Sequence, residues 1–133
     1  KRGYGNTYNA GDELNGFNYD LASQNRDMIK FLRDALELKK QLPISFLERE
    51  DIVKHICFEN IKHGALKVTY NFDNGEAYHI IINPSKETFS YNFSKYVKII
   101  FNGKGKIPSG CDFYSQLLIV PAISFNICYQ RKD

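Results

Sequence analysis

No stretch of this 133-residue sequence stays apolar for long. The longest run, Leu117–Ile123, is broken by Pro121 and falls far short of the ~20 residues a membrane-spanning helix requires. The start carries no basic-then-apolar secretory pattern. Charge of a single sign is equally scarce. The 18 Lys and Arg are scattered among 15 Asp and Glu for a net charge of +3, and no basic cluster marks a nucleic-acid surface. There are only three cysteines, Cys57, Cys111 and Cys128, widely spaced, odd in number and without a CxxC pair. That pattern argues against a zinc site and for free thiols packed as small apolar groups in a reducing setting. The histidines are as isolated. His55 and Cys57 would share one face of a strand, but no second pair answers them at metal-ligand spacing. His63 reads as a hairpin tip, and His79 as a solvent-face residue of an apolar strand. Gly103-Lys104-Gly105-Lys106 lacks the Walker spacing and reads as a turn with solvated lysines. No Ser–His–Asp order can be argued from three scattered histidines, and no metal or cofactor is expected. Repeats and low-complexity segments are missing too.

What is present falls into three zones. Residues 1–22 are polar, aromatic and glycine-rich, with no hydrophobic period. Residues 23–42 predict an amphipathic helix: Met28, Ile29, Leu32, Ala35 and Leu36 form a stripe that Phe31, Leu38 and Leu42 widen. Ser23 or Asn25 is suited to cap its start, and Pro43 to stop it. A stripe so broad expects partners on more than one side. A helical turn over Arg49–Lys54 then leads into residues with a period of two.

Seven strands are predicted: Ile56–Asn60, Leu66–Phe72, Ala77–Asn83, Thr88–Asn92, Tyr96–Phe101, Gln116–Val120 and Ser124–Gln130. Turn signals separate them at Lys62-His63-Gly64, Asp73-Asn74-Gly75, Asn83-Pro84-Ser85 and Asn102-Gly103-Lys104-Gly105. The fold class is therefore mainly β: an antiparallel β-sandwich preceded by one long helix.

The opening loop carries the chemistry. Asn6, Tyr8, Asn9, Asp12 and Asn15 are residue types that bind sugars. Planar amides and carboxylates match vicinal hydroxyls, and a tyrosine ring matches the C–H face of a pyranose. An irregular Asn/Gly surface loop, with Asn serving turns, explains the same composition and stays open. The order of residues adds to this. Asn6-Thr7-Tyr8-Asn9-Ala10-Gly11-Asp12-Glu13-Leu14-Asn15-Gly16-Phe17-Asn18-Tyr19 resembles a loop of the pullulanases, starch-debranching members of the α-amylase superfamily. Asp34–Pro43 is similar to the helix end that follows in that family, and Leu118–Ser124 to its last strands. Thr7, Gly11, Asn18 and Tyr19 depart from the family's Ser, Pro, Asp and Trp, leaving the polar positions intact.

The resemblance implies that residues 1–45 are the last loop and helix of a (β/α)8 catalytic barrel, and residues 46–133 a C-terminal β-sandwich domain. Active sites of such barrels lie at the face that this loop would join. The family's catalytic carboxylates would come from earlier strands, upstream of Lys1. None is assigned here, because Asp12 and Glu13 are sequence neighbours, and adjacent side chains rarely converge on one bond from opposite sides. The expected function is that of a non-catalytic C-terminal part of an enzyme cleaving α-1,6 linkages. Its partners would be an α-glucan and the missing barrel, with no nucleic acid and no membrane, in the bacterial cytoplasm rather than at the surface. A piece deprived of its barrel would tend to self-associate. Two other readings stay open: a free-standing carbohydrate-binding or protein-interaction sandwich, and the tail of an α-1,4-acting amylase or neopullulanase.

Overall fold

The computed structural model describes residues 19–42, 49–108 and 113–132. The chain divides into two compact units, Lys1–Lys30 and Phe31–Asp133.

Among the described residues, the helices α1 (Tyr19–Gln24), α2 (Arg26–Gln41) and α3 (Arg49–His55) come first. The predicted helix start at residue 23 is corrected, since Tyr19–Gln24 is already helical. Asn25 lies between α1 and α2, yet its N–H still reaches Leu21 O, and Ile29 N–H reaches Asn25 O. Neither predicted cap binds forward. Ser23 Oγ donates to Asp20 O and Asn25 Nδ2 to Leu21 O, so both side chains serve carbonyls of α1.

Seven strands follow: β1 (Ile56–Asn60), β2 (Leu66–Asn71), β3 (Ala77–Asn83), β4 (Phe89–Asn102), β5 (Gly105–Lys106), β6 (Tyr114–Val120) and β7 (Ser124–Gln130). All pairings are antiparallel, in the order β1-β2-β3-β7-β4-β5, with β6 on β4. The predicted strands 88–92 and 96–101 are one strand, β4, a correction with a physical cause. Ser94 and Lys95 look like a turn in sequence, but the chain stays extended through them. Only the pairing is interrupted, between Asn92 and Val97. The first half of β4 pairs with β6 alone and its second half also joins β7, so this strand serves both layers of the sandwich.

The core fills the space between those layers. Ala65, Ile81, Phe89, Phe93, Val97, Leu118, Val120 and Cys128 form it, with Ile61, Tyr91 and Ile99 packed against them. Cys128 behaves as the small apolar group expected, its thiol pushed up to about 12 by burial. Cys57 is also a free thiol, and Cys111 lies outside the described residues. The opposite face of the sheet meets α2. A bulge decides this contact. Ile99 pairs with Cys128 on the core side, but the register then slips and Phe101 pairs with Ile127. The extra residue turns Phe101 to the helix side, where Phe31 meets it edge-on at 5.4 Å and Phe125 at 5.8 Å.

Two polar residues lock the periphery. Asn83, almost fully buried, donates from Nδ2 to Glu87 O (2.8 Å) and Pro121 O (2.7 Å). Its Oδ1 accepts from Ser85 N–H (3.0 Å) and Ser85 Oγ (2.8 Å). The β3–β4 and β6–β7 connections are thereby tied to one amide. At the β5 turn, Gly105 has φ +105°, and Asp34 of α2 lies where a Cβ would stand. That carboxylate accepts from Lys106 N–H at 3.2 Å.

Candidate functional site

The sequence-predicted sugar contacts Asn6, Tyr8, Asn9, Asp12 and Asn15 all lie outside the described residues. Three other features can be built from the residues upward: a buried polar cluster, a groove beside the β4 bulge, and an apolar surface on α2 and the sheet.

The polar cluster follows from register. The β1–β2 pairing sets Glu59 opposite Lys67, and the β2–β3 pairing sets Thr69 opposite His79. Alternation puts Lys67, Thr69 and His79 on one sheet face. Lys67 Nζ donates to Glu59 Oε2 at 2.7 Å and to Tyr91 OH at 2.5 Å. It also lies 4.9 Å from the Tyr91 ring centroid. The Lys67 bond holds the Glu59 carboxyl below its usual range, against burial that works to raise it. Burial works to lower the Lys67 ammonium, and the bonds to Glu59 and Tyr91 together outweigh it, so its pKa is raised.

His79 is buried, which corrects its predicted place on the solvent face. Its Nδ1 is 3.0 Å from Thr69 Oγ1, its Nε2 is 3.3 Å from Gln130 Oε1, and its ring tilts against Phe93 at 5.0 Å. Burial pushes its pKa down, so the ring is neutral at pH 7. General acid–base work needs a group poised near the operating pH with a free atom toward substrate. Lys67 and Glu59 are locked in their charged forms and both His79 nitrogens are engaged, so the cluster stabilises the sheet edge. The predicted pairing of His55 with Cys57 on one strand is also corrected. His55 ends α3 and packs on Tyr70 at 5.9 Å, while Cys57 is in β1.

The groove lies where β4 and β6 part. Between the pairs Asn92–Leu117 and Val97–Ser115, the residues Phe93 to Tyr96 face only Gln116. The space, about 360 Å³, is lined by Ser94, Lys95, Tyr96, Tyr114, Gln116 and Arg131. Sequence reasoning missed it because its walls come from three distant segments. The Ser94-Lys95 interruption of an otherwise regular strand was the available signal.

The apolar surface matches the broad stripe expected of the helix. Leu38 is buried and Phe31 packs on the sheet, but Leu32 and Leu36 are 49% and 60% exposed. Phe58 of β1 and Ile82 of β3 are exposed at 67% and 42%. By strand alternation and pairing, both lie on the sheet face that Phe125 shares with Phe31. Exposed large apolar groups thus stand on both the helix and this sheet face, the kind of residue that interaction surfaces use.

The architecture thus defines an antiparallel β-sandwich domain with a packed N-terminal helix. Compared with solved structures, the chain is similar to pullulanase from Bacillus acidopullulyticus, with a TM-score of 0.80 and 23% identity over 96% of this chain and 16% of that one. It also matches the catalytic module of the multi-modular glycogen-degrading pneumococcal virulence factor SpuA. In the inhibitor complex the TM-score is 0.47, with 10% identity over 65% of this chain and 15% of that one. A second SpuA structure gives 0.46, with 10% identity over 63% and 15%. No protein-family profile matches the sequence, and no curated relative matches it. The fold is therefore that of one part of a pullulanase, and the chain spans 16% of that enzyme's length.

Proposed function

We propose that this chain is the non-catalytic C-terminal part of a pullulanase-like glycoside hydrolase that cleaves α-1,6 branch linkages in α-glucans. The observation that carries the reading is the fold likeness to a pullulanase over 96% of the chain. The order of the loop, helix and last strands in sequence supports it. In this reading residues 1–45 complete a catalytic barrel, and Asn6, Tyr8, Asn9, Asp12 and Asn15 line its substrate cleft. The barrel covers Leu32 and Leu36, whose exposure supports a missing partner. The carboxylates that flank the scissile bond belong to the barrel. The free thiols Cys57 and Cys128 fit a bacterial cytoplasmic enzyme.

The test is to sequence the coding region upstream of the codon for Lys1 and to express the whole frame. The expected result is a barrel-sized frame whose product releases reducing ends from pullulan, while the 133-residue chain releases none. A start codon directly upstream, or robust debranching by the 133-residue chain alone, would overturn the reading.

A further inference from the structure

We propose that the groove beside the β4 bulge is a binding site for a short α-glucan segment, separate from the cleft assigned to the opening loop. The groove is built by an unusual pairing, with four residues of β4 opposite one of β6. Bulges of this kind re-aim side chains, and this one brings Ser94, Lys95 and Tyr96 to the groove. Gln116, the single residue opposite, donates from Nε2 to Ser94 O at 3.2 Å and so holds the groove floor in place. The Arg131 guanidinium lies 5.5 Å from the Tyr114 ring centroid and so stands beside that ring at the groove. Tyr96 is 62% exposed, so its ring is open to a ligand.

The lining suits a neutral polyol better than an apolar ligand. A tyrosine ring meets the C–H face of a pyranose, and a guanidinium, an amide and a serine hydroxyl meet its hydroxyls. At about 360 Å³ the space is near the lower end of the ~300–1,000 Å³ common for small-ligand sites, which fits a sugar unit or two rather than a long chain. The choice of an α-glucan rests on the debranching reading. The groove as a site for a hydroxyl-rich ligand does not.

The test is a titration of the isotopically labelled 133-residue chain with maltotriose, followed by amide chemical shifts. The expected shifts centre on Ser94, Tyr96, Tyr114, Gln116 and Arg131, with millimolar affinity. Tyr96→Ala should weaken binding about tenfold while preserving the dispersed spectrum. Arg131→Met is the second variant, with the same expectation. Asn9→Ala, in the opening loop, should leave these shifts unchanged. Shifts confined to residues 6–15, no shifts at all, or binding indifferent to both groove variants would each overturn the proposal. So would displacement by inorganic phosphate with no response to maltotriose, because the groove would then be an anion site. Pullulan hydrolysis by the whole frame is read separately, so maltotriose binding without debranching would sink the enzyme reading and leave the groove standing.

Discussion

Replacing Asn83 by Ala removes one buried amide and, with it, the tie between two connections. The side chain is 1% exposed and makes four hydrogen bonds. Each net bond contributes about 1 kcal/mol, but the four are unequal. Ser85 Oγ keeps a second acceptor in Glu87 O at 3.4 Å, so its loss is partly offset. Glu87 O keeps that Ser85 Oγ and Pro121 O keeps Ser124 Oγ at 2.6 Å, so the loss is of the buried bonds rather than of every partner, and Ser85 N–H is left without a replacement. Asn83→Ala should therefore cost about 3 kcal/mol, a large share of the ~5–15 kcal/mol typical of a domain. The midpoint of thermal unfolding should fall by about 10 °C. The assay is urea unfolding followed by far-UV circular dichroism, since the chain has no tryptophan to report by fluorescence. Asn83→Asp sharpens the argument. It keeps the acceptor for Ser85 but sets a carboxylate against two carbonyl oxygens. At pH 7 it should be at least as unstable as Asn83→Ala, and it should recover relative to wild type as pH falls and the carboxyl gains a proton. A cost below about 1 kcal/mol for Asn83→Ala, or an Asn83→Asp protein as stable as wild type at pH 7, would refute the reasoning.

Gly105→Ala places a side chain at φ +105° and against the Asp34 carboxylate, and should cost about 2–4 kcal/mol in the same assay. Adding Asp34→Ala should recover part of that loss, and simple additivity of the two changes would show that they do not touch. His79 gives a pH dependence. Burial lowers its folded pKa, so as pH drops below about 6.5 the unfolded chain takes the proton first and stability declines until the folded ring also titrates. Stability measured from pH 8 to 5 should show this slope in wild type and less of it in His79→Gln; equal slopes would contradict the buried neutral ring. The chain is expected to self-associate with rising concentration in sedimentation velocity, and Leu32→Glu with Leu36→Glu should abolish this without changing its circular dichroism; a chain that stays monomeric, or association that persists in the variant, would refute a sticky surface at these residues.

Local pattern made much of the fold legible. β1, β3 and β7 have the bounds read from sequence, because clean alternation ends at strong turn signals. The turn at Lys62-His63-Gly64 was likewise readable, with His63 at φ 58°. Counting back from that turn could also have paired Glu59 with Lys67. β4 was split because the polar pair Ser94-Lys95 resembles a turn, and nothing local shows that a wide bulge keeps the strand extended. The candidate groove went unread for the same reason: Tyr96, Tyr114 and Arg131 meet only after β4, β6 and β7 are in register.

Local pattern alone gave the class of fold, most of its elements and the apolar face that each strand alternation offers, because those depend on neighbours two to four positions away. Tertiary structure alone decided which side of the sheet each residue serves. The Ile99–Phe101 slip turned Phe101 from the core toward Phe31. The closing of β4 and β6 over the sheet buried His79 against Phe93. Packing of α2 hid Leu38 and left Leu32 and Leu36 outside. A period of two says only that side chains alternate. What covers each face depends on partners far along the chain, and a single extra residue in one strand is enough to exchange the faces.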